Sequence, residues 1–302
     1  MIVQYHKLAL TAGFALAISF TLSCSGDDGG GDNNPGGTSS AGISSSSGGG
    51  SSSSGVSSSG GSSSSSGGGD IPIVGCPDAV TVSNAVTCDG KTYTTVEIGG
   101  KIWMKENLKY NAVGSKCGDE SLGTLIDENT TACDTYGRLY DWSTAMALPS
   151  KCNSTLSTSD AECAIRTPNH QGICPSGWHI PSNAEWDALY RSADGKSGTD
   201  SPYTSLTAGP HLKAKEGWND CGPSGSGKAY PCVDTYNFSA LPGGAGNLNG
   251  GFSNVGKSGY WWSASEDSSN SAYNRRMFYG SEAAEYLSSG KGAWFSVRCV
   301  KD

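Results

Sequence analysis

The chain is poor in the residues from which catalytic and metal-binding sites are usually built. Only four histidines occur in 302 residues. His6, His170, His179 and His211 are widely separated, so no His-x-x-x-His or His-Glu-x-x-His spacing exists to hold a metal. None of the eleven cysteines forms a Cys-x-x-Cys, which removes the usual zinc-ribbon and thioredoxin signals. No Gly-x-Ser-x-Gly elbow is present. Positive charge is scarce as well. Twenty Lys and Arg against 28 Asp and Glu leave a formal charge of -8, without the basic footprint a nucleic-acid partner requires. The longest apolar run, Leu8 to Phe20, falls short of the about 20 residues that span a bilayer. Convincing helical periodicity is rare.

What is present begins with an export signal: Lys7, then that short apolar run, then Thr21-Leu-Ser-Cys24. This tetrapeptide resembles a bacterial lipobox, with Thr21 where leucine is usual, and marks residues 1–23 as a signal peptide and Cys24 as a lipidation site. Ser25, rather than Asp, favours delivery to the outer membrane and the cell surface. From Gly36 to Gly69 every residue is Ser or Gly except Thr38, Ala41, Ile43 and Val56. Such a tract buries too little apolar surface to offset its ordering entropy, so residues 24–75 read as a disordered tether. A Gly/Ser coil of this length spans roughly 30 Å, or at most about 120 Å when pulled straight. All eight tryptophans lie from Trp103 onward, so the globular part is placed at 76–302.

Cys24 aside, ten cysteines remain between Cys76 and Cys299, and an even number in an exported chain reads as a disulfide framework. Many connectivities are open to ten cysteines. Proximity suggests Cys76–Cys88, Cys117–Cys133, Cys152–Cys163 and Cys221–Cys232, leaving Cys174–Cys299 as the long-range bridge. Local elements are also legible. Thr92–Ile98, Gly99-Gly100 and Lys101–Met104 read as a hairpin. Leu139, Trp142 and Met146 recur at helical spacing until Pro149. Ser182 and Glu185 form a capping box for a helix that presents Trp186, Leu189 and Tyr190 and ends at Gly195. Ala293, Phe295, Val297 and Cys299 alternate with Trp294, Ser296 and Arg298, predicting a half-buried final strand.

Several ordered stretches carry a resemblance. Cys174-Pro-Ser-Gly-Trp-His-Ile-Pro-Ser182, the end Phe295-Ser-Val-Arg-Cys-Val-Lys-Asp302, Tyr136-Gly-Arg-Leu-Tyr-Asp-Trp142, Leu241-Pro-Gly-Gly244 and Tyr260-Trp-Trp-Ser-Ala-Ser265 resemble the Fibrobacter succinogenes major paralogous domain. That family is found on bacterial surfaces and is similar to C-type lectins. The resemblance implies an α+β, loop-rich, disulfide-stabilised lectin-like domain whose terminal strands pair and whose late loops hold a ligand. It also implies a non-catalytic role in adhesion, with an external polysaccharide or a surface protein as partner.

Candidate site residues follow from that analogy and from strand geometry. Neighbours in a strand face opposite ways, so Trp261 and Trp262 do not share a face: the second ring either packs beneath a loop or helix or, as Trp262, is a candidate sugar platform. Glu266, Asn270, Tyr273 and Arg275 lie in the segment where surface-binding relatives of the lectin fold carry contact residues. Arg–carboxylate pairing inside the domain is the duller reading of Arg275. Trp218-Asn219-Asp220 is similar to the calcium- and sugar-binding triplet of C-type lectins, and calcium is the one cofactor it raises. The companion tripeptides Glu-Pro-Asn and Gln-Pro-Asp are absent, so a turn with Trp218 packed inward is expected and no cofactor is assigned. Asp119-Glu120 and Asp127-Glu128 could supply a glycosidase pair, but their loop context reads as solvated charge. Formylglycine-generating oxidases share the lectin-like topology and would need two of Cys221, Cys232 and Cys299 free. The even cysteine count argues against this. The chain is read as a binding protein, with an envelope interaction module as the alternative.

Overall fold

Two sheets, built mainly from residues after Ala85, organise the molecule. The computed structural model describes residues 75–76, 80–166, 168–222 and 230–302. These all fall within one compact unit, Ser65–Asp302. The signal segment, Cys24 and the Ser/Gly tract lie outside the described residues.

The first sheet has six strands in the order Thr81–Val82, Ala85–Cys88, Lys91–Ile98, Lys101–Met104, Val300–Lys301 and Trp178–His179. Its centre is the expected hairpin, with Ile98 opposite Lys101 and Thr95 opposite Met104. Gly99 and Gly100 take φ of 63° and 76°, the left-handed pair that a two-residue turn needs and that glycine reaches most easily. The chain end closes this sheet: Val300 pairs with Trp103 on one side and His179 on the other. The second sheet has five strands, ordered Phe252–Val255, Gly243–Gly246, Ser258–Glu266, Ser271–Phe278 and Ala284–Gly290. Its two long central strands are antiparallel, and Gly243–Gly246 runs parallel to its neighbour Ser258–Glu266.

The architecture is therefore mostly β, not the balanced α+β arrangement expected from the sequence. Only one helix among the described residues is long, Asn183–Asp194. Its capping box is formed, and Gly195 ends it at φ 63°. The helical spacing of Leu139, Trp142 and Met146 yields only the four-residue Trp142–Ala145. Leu139 is instead drawn into a β-bridge with Lys116, and Ala147 turns left-handed at φ 53°, so the turn cannot propagate. The final strand also differs from expectation. Phe295, Ser296, Val297, Arg298 and Cys299 are all buried, because the segment threads between the sheets, bridging Tyr140 through Phe295 and Trp261 through Ser296.

Two aromatic clusters flank the second sheet. Trp261 meets Trp186 of the long helix at 6.4 Å, and Trp186 meets Trp103 at 5.1 Å. On the other side Trp262 packs on Phe295 at 4.5 Å. Each fully buried side chain of this kind contributes on the order of 2–3 kcal/mol. Five disulfides join Cys76–Cys88, Cys117–Cys133, Cys152–Cys163, Cys174–Cys299 and Cys221–Cys232, with Cα separations of 5.4–6.0 Å. These are the pairs that proximity suggested. Four pin local loops; Cys174–Cys299 ties the segment before Trp178 to the closing strand.

Candidate functional site

Register in the second sheet decides which side chains reach a surface. Tyr260 lies opposite Arg276, Trp261 opposite Arg275, and Trp262 opposite Asn274. Arg275 in turn lies opposite Tyr286, and Arg276 opposite Glu285. Residues two apart share a face, so Trp261, Arg275 and Tyr286 look toward the long helix, while Tyr260, Trp262, Arg276 and Glu285 look the other way.

Two of the sequence-predicted site residues are thereby corrected. Trp262 is fully buried, its indole donating to the Tyr140 carbonyl at 2.8 Å. Trp261 is equally buried and donates to Asn107 Oδ1 at 2.8 Å. The two rings do face opposite ways, but both faces of the sheet are covered at this point, so neither reaches solvent. Arg275 is also fully buried, donating to Asp187 Oδ1 at 2.8 Å and to the Asn183 carbonyl at 3.0 Å. It is an internal ion pair and cannot meet an external ligand.

Glu266 is committed to internal contacts. It accepts from the Ser157 amide and hydroxyl and from Lys291 Nζ. Asn270 is exposed and accepts from the Ser268 hydroxyl at 2.9 Å. Tyr273 is half-buried beside Tyr286 at 6.1 Å, and its bond to Asp267 raises its hydroxyl above the usual range. Asn270 and Tyr273 thus stay accessible, but they do not converge with Trp262 or Arg275.

What does converge is one register step away. Tyr260, Arg276, Leu287, Ser289, Leu248 and Phe295 line an open groove of about 580 Å³. Tyr260 stacks on Phe295 almost in parallel, with centroids 5.0 Å apart and planes 14° apart. The buried Phe295 ring therefore fixes the attitude of the half-exposed Tyr260 ring. Beside it Arg276 pairs with Glu285 at 2.7 Å. Burial lowers the Arg276 pKa, but Glu285 more than offsets this and keeps the guanidinium charged. The rim is the turn at Leu248, whose side chain is 74% exposed. Asn247 Oδ1 holds that turn by accepting from the Asn249 and Gly251 amides at 2.9 and 3.0 Å. An oriented aromatic face, apolar flanks and a few fixed polar groups suit non-covalent recognition of a ligand with both apolar and hydroxylated surfaces.

A second groove, of about 560 Å³, is lined by Tyr136, Lys215, Glu216, Asp234, Asn237 and Leu241. Beneath it Arg298 is fully buried; desolvation pushes its guanidinium down to about 9. Arg298 donates to the carbonyls of Phe238 and Ser239 and to Asn107 Oδ1, while Asn107 Nδ2 donates to the Tyr136 carbonyl. Several sequence signatures thus meet as internal scaffolding. Sequence reasoning missed the role of Arg298 because an alternating pattern looks the same whether one face or both faces are covered.

The remaining candidates have structural placements. Trp218 packs inward and donates to the Ala240 carbonyl at 2.9 Å, while Asn219 and Asp220 form an exposed turn with Asp220 at φ 50°. No group of three or more potential metal-ligating side chains occurs among the described residues. Asp119 accepts from Ser121 and Leu122 within its own turn, and Asp127 pairs with Lys116 at 2.5 Å. Cys221, Cys232 and Cys299 are all disulfide-bonded. His179 is enclosed by Asp302 and Glu185.

The model of the Fibrobacter succinogenes major domain matches residues 96–301. No curated protein and no solved structure matches the chain.

Proposed function

Because this chain belongs to the Fibrobacter succinogenes major domain family, we propose that it is a lipid-anchored surface protein that binds an external carbohydrate without catalysis. Cys24 is the lipid attachment point at the outer membrane, and the Ser/Gly tract holds the domain away from the envelope. The domain is a C-type-lectin-like one. The pairing of the closing strand Val300–Lys301 with Lys101–Met104 and the Cys174–Cys299 bridge support this reading. The ligand lies against the outer face of the second sheet, and plant polysaccharide is the favoured class.

The observation that carries the proposal is the Tyr260 ring, held by Phe295 beside the Arg276–Glu285 pair. A sugar's apolar face stacks on the ring, and its hydroxyls reach the guanidinium and carboxylate. A glycan array and a cellulose pull-down with the full chain identify the ligand. Tyr260→Ala is expected to weaken its binding at least about tenfold, the effect of losing a central aromatic contact. Full binding by that variant would refute the assignment.

A second reading has its own support. Leu248 stands 74% exposed on the groove rim, as an anchor for a protein partner would. On that reading the domain is an envelope interaction module: glycans fail to bind, and Leu248→Asp abolishes capture of one specific envelope protein.

A further inference from the structure

The turn that walls one end of the sheet groove contains a fully buried lysine, Lys291. Its ammonium does not reach solvent. It donates to the carbonyls of Cys152 at 3.2 Å, Thr155 at 3.1 Å and Ser269 at 3.1 Å, and to Glu266 Oε1 at 2.5 Å. The indole face of Trp142 lies 4.4 Å away. Three carbonyl oxygens, one carboxylate oxygen and an aromatic face form the donor set of a hard-cation site. Those oxygens come from two segments far apart in sequence, the disulfide-pinned loop at Cys152–Thr155 and the loop Glu266–Ser269.

We propose that this cage is a cation-binding site whose resident ion is the chain's own ammonium, so that the two loops and the groove wall close without metal. The backbone around Lys291 is fixed to the same parts. Its amide donates to the Asn270 carbonyl at 2.9 Å, and its carbonyl accepts from the Trp142 amide at 2.8 Å. Gly290 and Ala293, on either side, line the groove, and a side chain at Gly292 would strike Leu248 on the opposite rim. Without a cation, three carbonyls and one carboxylate would face one another across an enclosed cavity. Mutual repulsion and lost hydrogen bonds would then open the loops.

This does not depend on what the groove binds, and its test uses no ligand. The full chain is melted in the presence of EDTA and of millimolar calcium chloride, alongside Lys291→Ala, which empties the cage, and Lys291→Met, which keeps the stem without the charge. The wild type is expected to melt at the same temperature under both conditions. Both variants are expected to melt about 10 °C lower. Calcium or methylammonium should restore at least half of the loss in Lys291→Ala but not in Lys291→Met, whose side chain blocks entry. A wild-type melt that falls in EDTA, or a destabilised Lys291→Ala that no cation restores, overturns the proposal. A second measurement covers failure of the variants to fold: amine acylation of the native wild type, read by peptide mass spectrometry. Lys291 should stay unmodified while the exposed Lys215 and Lys257 react; modification of Lys291 at their rate overturns the proposal equally.

Discussion

His179 illustrates how single residues here carry more than packing. It sits at the sheet edge with no exposed surface, Nδ1 2.6 Å from Asp302 and Nε2 2.9 Å from Glu185. Burial pulls its pKa down, but the hydrogen bonds and charges of Glu185 and Asp302 outweigh this and raise it above the ordinary value. For Glu185, burial works upward, yet His179 and the Ser182 amide and hydroxyl bring its carboxyl down to about 2. Lys101 adds a second cation, 3.1 Å from Glu185. The signs follow from linkage. A raised histidine contributes stability that is complete below about pH 6.5 and lost as pH rises through the folded value. A depressed carboxylate contributes stability above about pH 4.5 and loses it on acidification toward pH 2. Urea unfolding of wild type and His179→Gln should therefore differ most between about pH 4.5 and 6.5, with the gap shrinking on both sides. A difference that grows steadily with alkalinity would contradict the charged triad. The histidine was visible in the sequence, but its partners were not. Asp302 lies 123 positions away, and only the closing strand brings it alongside.

At the scale of elements, local chemistry was legible and coverage was not. The Gly99-Gly100 hairpin and the Ser182/Glu185 capping box could be read because their determinants lie within a few residues. The tryptophan strand left two readings open because alternation tells which residues share a face, not what covers that face. Both faces of Ser258–Glu266 are covered over Trp261 and Trp262, and the open stretch begins at Tyr260, so the accessible aromatic lies two residues, one same-face step, from Trp262. For the same reason spacing could not tell that Arg275 pairs internally with Asp187 while Arg276 pairs with Glu285 on the groove face. The hairpin permits a controlled test. Both turn glycines are left-handed, but a Cβ on Gly99 would meet Ser192 Oγ at 2.5 Å, whereas Gly100 has open space. Gly100→Ala should cost about 1 kcal/mol from backbone conformation alone. Gly99→Ala should cost distinctly more, measured by denaturant midpoint. Equal losses would mean that the helix does not press on the turn as described.

For the whole molecule, a core split by a central sheet and threaded by the C-terminal segment depends on where that segment is fixed. Cys174–Cys299 closes a loop of 125 residues, against 11 for Cys152–Cys163. In the chain-entropy model these are worth about 5 and about 3 kcal/mol. Replacing the long-range pair by serines should lower the melting temperature more than replacing the local pair. The reverse order would place the main constraint elsewhere. The mostly β layout, the buried ammonium of Lys291 and the buried guanidinium of Arg298 all belong to this scale. None could be read from spacing, since each is defined by what the return of the chain places around it.

Recognition is proposed to use the sheet face bearing Tyr260 and Arg276, not the face bearing Arg275. Calorimetric titration of the full chain with the glycan found on the array, using Tyr260→Ala and Tyr273→Ala in parallel, tests it most directly. The two tyrosines lie on neighbouring strands and project to opposite faces. At least about tenfold weaker binding is expected for Tyr260→Ala and wild-type affinity for Tyr273→Ala. Loss of binding in Tyr273→Ala with none in Tyr260→Ala would contradict it.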